Sequence, residues 1–230
     1  MFYRISKLIL GPMVRLFFRL RVEGIENLPT DGPYIVAANH CSFFDSWIVP
    51  LVLPRRVTYV AKAEYFDQWY TAWLFRAWGQ IPIKRGGGSA SQGALDAAMD
   101  VLTGGGVFGI YPEGTRTPDG SLYRGKTGVA RVALQSGAPV VPVGILGTYE
   151  VAPKHRKVPR PGRVTVRFGL PLDLRSHATR ADDHLALRAA TDEIMFEIRE
   201  LTGQDYVNRY AGKESSPVDP VAPAHVGAVA

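Results

Sequence analysis

From Gly32 onward, short apolar runs alternate with segments whose apolar residues recur at helical spacing. Residues 33–38 (Pro-Tyr-Ile-Val-Ala-Ala) read as a buried strand that stops at Asn39-His40. Residues 46–53 read as a helix stopped by Pro54, residues 57–61 as a strand and residues 67–78 as an aromatic-rich helix. Residues 80–85 are strand-like and run into Gly86-Gly87-Gly88, which reads as a connector to a helix over 91–102 closed by three further glycines. A strand over 107–111 ends at a polar motif, a helix over 126–135 closes at Gly137, and 140–146 is the next strand. Residues 164–168 alternate like a half-buried strand near an edge, and residues 180–201 form a long amphipathic helix ending at Gly203. Beyond Gly212 the chain has no period. Alternating strands and helices predict an α/β fold, a mixed and largely parallel sheet flanked by helices, in which ligands bind beyond the strand ends.

The first 21 residues follow another pattern. Phe2, Tyr3, Ile5, Leu8, Ile9, Leu10, Val14, Leu16, Phe17, Phe18 and Leu20 are interleaved with Arg4, Lys7, Arg15, Arg19 and Arg21, without one acid. The cations interrupt the apolar run that a secretory signal needs, and a spanning helix would bury Lys7 and Arg15 at ~2.5–3.5 kcal/mol each. An amphipathic helix lying in the lipid interface fits this composition, with Gly11-Pro12 kinking or splitting it. Packing on the domain's own core is the other reading. The chain thus divides into an anchor segment (1–21), one α/β domain (22–211) and an aperiodic tail (212–230).

Composition narrows the class. The chain has 230 residues, 46% of them hydrophobic, enough for one domain with a sizeable core. Its single Cys excludes an internal disulfide framework and a Cys-rich metal site, and no metal is expected. The net charge of +6 is concentrated at the N-terminus and in a second stretch with Lys154, Arg156, Lys157, Arg160, Arg163 and Arg167. Such stretches either attract phosphates or form solvated surface. No zinc-ligand spacing or RNA-binding aromatic pattern is present, so nucleic acid is not an expected partner.

Two motifs carry chemistry. In Asn39-His40-Cys41-Ser42-Phe43-Phe44-Asp45, His40 is a candidate general base and Asp45 can hold its second ring nitrogen. Cys41 reads as a small buried residue rather than a nucleophile, and Ser42 as a local hydrogen-bonding residue. In Tyr111-Pro112-Glu113-Gly114-Thr115-Arg116 a turn carries a carboxylate and a guanidinium. Arg116 offers a planar fork for phosphate and Gly114 a close backbone approach; Glu113 fixes Arg116, a backbone amide or a hydroxyl. A plain structural Glu-Arg pair is the competing reading. His40, Lys62, Arg85 and Glu113 all fall at expected strand ends. Trp69, Tyr70, Trp73, Leu74, Phe75 and Trp78 lie at helical spacing, which suits core packing, an acyl tunnel or a membrane interface.

Together, in this order, these motifs resemble the PlsC-type glycerolipid acyltransferases. His40 and Asp45 match that family's H-x4-D pair, Ile81-Pro82-Ile83-Lys84-Arg85 its second block, residues 111–116 its third, and Val141-Pro142-Val143-Gly144-Ile145 its fourth. Lys62 matches a lysine that acts with the third-block arginine on acceptor phosphate. The resemblance implies catalysis by His40 and Asp45, phosphate binding around Lys62, Arg85, Glu113, Gly114, Thr115 and Arg116, and an acyl site at Val141, Pro142 and Val143. It implies direct acyl transfer from an acyl-CoA or acyl carrier protein thioester to 1-acylglycerol 3-phosphate. No cofactor besides that co-substrate is implied, and the expected location is the anionic, cytoplasmic face of the membrane, held monotopically or peripherally. Other expectations are a different acceptor (glycerol 3-phosphate, another lysophospholipid or a glycolipid), a thioester hydrolase, or a non-catalytic lipid-binding domain. Lys84 in place of an acid, Tyr111 in place of Phe and Thr117 in place of Ser depart from the family pattern.

Overall fold

The computed structural model describes residues 2–83, 87–153, 155, 156, 158–180 and 183–212. In chain order its elements are α1 (Phe2–Phe17), β1 (Arg21–Glu23), β2 (Tyr34–Ala38), α2 (Asp45–Val52), β3 (Val57–Lys62), α3 (Trp69–Ala77), β4 (Ile81–Ile83) and α4 (Gly87–Thr103). There follow β5 (Val107–Ile110), β6 (Leu122–Tyr123), α5 (Gly128–Ser136), β7 (Val140–Leu146), α6 (Thr148–Val151), β8 (Thr165–Phe168), α7 (His184–Thr202) and β9 (Tyr206–Val207). Among the described residues seven strands form the main sheet, in the order β1-β8-β7-β2-β5-β3-β4. All its pairings are parallel except β7 with β8. β6 and β9 pair separately.

β2 shows why a continuous apolar run makes a central strand: all five residues are buried. Tyr34, Val36 and Ala38 pack on the face covered by α2, while Ile35 and Ala37 pack on the face covered by α4, α5 and α7. With both faces covered there is no position for a polar residue until the strand ends. Helix ends follow local chemistry. Asp183 accepts the Leu185 N–H to cap α7, and Gly137 and Gly203 close α5 and α7 in the left-handed conformation.

Three expectations change. α1 runs unbroken through Pro12 instead of splitting there. The segment 1–21 is not a separable appendage: Phe18 is 3% exposed in the core and Arg21 begins β1. Gly87 and Gly88 belong to the first turn of α4 rather than to a connector. β8 lies second from the edge of the sheet, near it as its alternation predicts, and the unforeseen three-residue β1 takes the edge itself. Residues 213–230 of the predicted tail lie outside the described residues.

Candidate active site

The two motifs meet because their strands are neighbours. β2 and β5 pair in parallel, with Ala37 opposite Ile110, so the residues after each strand emerge side by side. Asn39 is fully buried and ties the first motif to β7: its Oδ1 accepts the Ile145 N–H at 2.7 Å and its Nδ2 donates to the Ile145 carbonyl at 2.9 Å.

His40 follows. Its Nδ1 lies 2.9 Å from Asp45 Oδ2, and its side chain is 15% exposed while that of Asp45 is fully buried. The same carboxylate oxygen accepts the backbone N–H groups of Cys41 at 2.8 Å and Ser42 at 2.7 Å. Asp45 stands in the first turn of α2, where the helix dipole favours an anion. A carboxylate against Nδ1 selects the tautomer protonated there and leaves Nε2 as the free acceptor. Tyr111 stacks on the imidazole, with centroids 3.9 Å apart and planes 11° apart, and its hydroxyl lies 3.2 Å from Ser46 Oγ. Tyr59 in turn stacks on Tyr111. Gly109 makes room for this column, since a Cβ there would sit 2.2 Å from Tyr59 Cζ.

Cys41 is buried, and its thiol is pushed well up by desolvation and by the Asp45 and Glu113 carboxylates, which keeps it a neutral packing group. Ser42 Oγ donates to the Ala152 carbonyl at 2.7 Å, the local role expected of it.

Glu113 fixes backbone amides, one of the roles the residues suggest, and this corrects the phosphate-binding role that the resemblance implies. It is 1% exposed, and each carboxylate oxygen accepts a backbone amide, His40 N–H at 2.9 Å and Tyr123 N–H at 3.0 Å. The loop also donates Thr117 N–H to the His40 carbonyl at 2.8 Å. The third-block turn therefore grips both main-chain groups of the histidine. Burial pushes the Glu113 carboxyl up to about 7, against the opposing pull of the two amides.

Two cavities converge on His40. The first, about 360 Å³, is walled by Phe43, Trp47, Tyr65, Phe75 and Trp78 and carries Lys62, Thr115 and Arg116. The second, about 630 Å³, runs between β5, α4 and α5, with Ile83, Leu95, Phe108 and Val132 as walls and Gly114, Lys126 and Arg131 beside them. Both are lined by His40, Tyr59, Val60 and Tyr111. Lys62 also pairs with Glu64 at 2.8 Å, at an exposed site where such pairs exchange easily. Arg85 lies outside the described residues. Phe75 and Trp78 of the aromatic stripe face the first cavity, whereas Trp69 and Trp73 are exposed.

The residues that the resemblance assigns to the acyl site stand apart from both cavities. Val141, Pro142 and Val143 are buried in the middle of β7, and the two valines belong to the core that α2 covers. They line neither cavity. Their part in the site is indirect, through the strand that holds Asn39.

Sequence reasoning missed Gln204. Its Oε1 accepts the Asn39 side-chain N–H at 2.9 Å, and its Nε2 donates to the Gly120 carbonyl at 2.6 Å and approaches Cys41 Sγ at 3.5 Å. It clamps the residue before His40 to the loop after Arg116. No periodicity marks a polar residue just beyond a helix stop, so no sequence signal was available.

An α/β sheet with a histidine–carboxylate pair at a strand end, cations beside it and two cavities of mixed polar and apolar lining around it defines a class of group-transfer site. The acyltransferase family profile matches residues 19–146, and the chain belongs to that family. It is 31% identical over 180 residues to the chloroplast 1-acyl-sn-glycerol-3-phosphate acyltransferase of Arabidopsis thaliana, covering 77% of this chain and 49% of that one. It is 30% identical over 205 residues to 1-acyl-sn-glycerol-3-phosphate acyltransferase alpha of Bos taurus, covering 84% and 69%. The chain thus spans about half the length of its plant relative. The crystal structure of the 1-acyl-sn-glycerophosphate acyltransferase PlsC of Thermotoga maritima superposes with a TM-score of 0.65 at 29% identity, covering 86% of this chain and 82% of that one.

Proposed function

We propose that this protein transfers a fatty acyl group from an acyl thioester to the free hydroxyl of 1-acylglycerol 3-phosphate. The observation that carries the reading is His40: Nδ1 is held by buried Asp45, and the ring opens onto two cavities with aromatic and aliphatic walls and cations beside them, the first bearing Lys62 and Arg116. The acceptor's phosphate lies against Lys62 and Arg116 and its chain among the aromatic walls of the first cavity. The thioester enters from the second, where Lys126 and Arg131 suit the phosphates of an acyl-CoA or the acidic surface of an acyl carrier protein.

In the reaction, His40 Nε2 takes the acceptor hydroxyl proton as that oxygen bonds to the thioester carbonyl carbon. Asp45 stabilises the imidazolium. The tetrahedral intermediate collapses with cleavage of the C–S bond, and the imidazolium returns its proton to the departing sulfur. Buried Cys41 takes no part. Tyr111 holds the ring in plane throughout.

The exposed apolar stripe of α1 (Ile5, Leu8, Ile9, Met13 and Leu16) recurs at helical spacing and suits the lipid interface where such substrates reside. Among the described residues no helix is long and apolar enough to cross a membrane.

The test is an assay of purified protein with labelled acyl-CoA, or acyl carrier protein thioester, and a panel of lysophospholipids, glycerol 3-phosphate and a glycolipid, with products resolved by mass spectrometry. Acyl transfer to 1-acylglycerol 3-phosphate is expected. Thiol release that ignores the acceptor would make the protein a hydrolase, and absence of turnover beside tight vesicle binding would make it a binding domain.

A further inference from the structure

The two basic stretches of the sequence, far apart along the chain, are zipped together by backbone. Val164 N–H donates to the Phe18 carbonyl and Arg21 N–H to the Val164 carbonyl, both at 2.9 Å. From there β1 and β8 run in parallel, with Arg21 opposite Thr165 and Glu23 opposite Arg167. The result is a cleft of about 530 Å³ lined by Arg19, Arg21, Glu23, Arg163, Thr165 and Arg167. Glu23 pairs at 2.8 Å with both Arg21 and Arg167 and fixes their spacing. The side chains of Arg19 and Arg163 have no hydrogen bond or ion pair among the described residues.

Arg19 is out of place on structural grounds alone. It has φ +41°, the one non-glycine residue with positive φ among the described residues. Leu20 N–H returns to the Arg15 carbonyl at 3.0 Å and Arg19 N–H to the Leu16 carbonyl at 3.3 Å, the bond pattern of a helix end that glycine ordinarily closes. Keeping a long cation in that conformation strains the backbone where glycine would not. The turn also places the cation two residues after Phe17, past buried Phe18, at the exposed apolar end of α1 that Leu16 and Phe17 form.

We propose that the Arg19–Arg21–Arg163–Arg167 cleft docks the phosphate of an anionic phospholipid headgroup in the membrane surface. This rests on the reading of α1 as an interfacial helix. Four guanidinium groups against one carboxylate complement a phosphate, and Arg forks bind phosphate bidentately. A lipid is favoured over a soluble phosphate because Arg19, which lines the cleft, follows the exposed apolar end of α1 by two residues, and because the cleft shares no residue with either cavity at His40. The cleft also lies at the end of the sheet where His40 emerges. Arg21 and Thr165 are paired beside Leu146, the last residue of β7, and β7 is parallel to β2. Docking there would keep the acceptor-binding end of the sheet at the lipid surface.

The test compares the wild type, Arg163→Gln and the double variant Arg19→Gly/Arg163→Gln on vesicles of phosphatidylcholine with and without phosphatidylglycerol. Glycine suits the turn at Arg19, so the double variant is expected to melt no lower than the wild type. At low salt it should partition roughly thirtyfold more weakly onto phosphatidylglycerol vesicles, with Arg163→Gln intermediate and the differences shrinking in high salt. Equal binding of wild type and double variant would overturn the cleft while leaving α1 as the anchor. A wild type that binds neither vesicle would overturn the interfacial reading as well. Unchanged vesicle binding with a raised KM for acyl-CoA would assign the cleft to a soluble phosphate and so overturn lipid docking.

Discussion

Glu113 accepts the backbone N–H of His40 at 2.9 Å, so the glutamate of one motif fixes the main chain of the histidine in the other. With its second oxygen on Tyr123 N–H, the buried carboxylate is turned to main chain and lines neither cavity at His40. In Glu113→Gln the amide oxygen can keep one of these donors, and its NH₂ group then faces the other. An orphaned buried N–H costs ~1–3 kcal/mol. The variant should lose that much stability by denaturant titration and should turn over more slowly with little change in acceptor KM. The pH dependence follows as well. Between the ordinary value of 4.5 and about 7, the folded chain keeps a proton on Glu113 that the unfolded chain has released. This group's contribution is therefore full below 4.5 and declines as pH rises to about 7. Denaturation of both proteins across that range should show the slope in the wild type and its loss in the variant.

Removing the proton acceptor should be the most damaging change to turnover. His40→Ala and Asp45→Asn are each expected to lower kcat by ~10²–10⁴-fold. Cys41→Ala should stay active, because the thiol is buried and neutral. An inactive Cys41→Ala with a normal circular dichroism spectrum would rule out direct transfer.

Arg116 is expected to discriminate between head groups. Loss of a charge-assisted contact to phosphate is worth ~1.5–3 kcal/mol, so Arg116→Ala should lower kcat/KM for 1-acylglycerol 3-phosphate roughly ten- to a hundredfold. An acceptor without phosphate should be nearly unaffected. Equal losses on both acceptors would make Arg116 structural.

Gln204 lies beyond the stretch that the family profile matches, yet it braces Asn39 against Gly120. Gln204→Ala should reduce kcat with KM nearly unchanged, since it touches the base's support and neither cavity. Gln204→Glu keeps the acceptor for Asn39 and loses the donor to Gly120, so partial recovery is expected. A selective rise in KM would place Gln204 in substrate binding instead.

Deleting residues 1–21 would remove Phe18 from the core and Arg21 from β1, so a truncated protein confounds anchoring with folding. Leu8 and Leu16 are 76% and 83% exposed and can be changed in place. Leu8→Glu/Leu16→Glu should melt like the wild type and should no longer sediment with vesicles. It should keep its turnover on a short-chain soluble acceptor. Full retention on vesicles would shift the anchor to the exposed Trp69 and Trp73.

The chain pattern by itself determined the alternating elements, the His40–Asp45 pair and the burial of Cys41. These follow from local rules: apolar period, helix stops, and polar residues placed where buried strands end. It also supplied the family resemblance, through short motifs whose spacing survives in sequence. Only the tertiary structure decided what those motifs do to each other. Strand order put β2 beside β5 and so joined Glu113 to the His40 backbone instead of to a ligand. Strand order also buried Val141 and Val143 in the core, and it brought Arg163 and Arg167 to Arg19 and Arg21 across the chain. Gln204 reached Asn39 in the same way, across 165 residues. Local propensity acts over a few residues, whereas pairing between distant strands and the satisfaction of buried polar groups are settled only when the whole sheet closes.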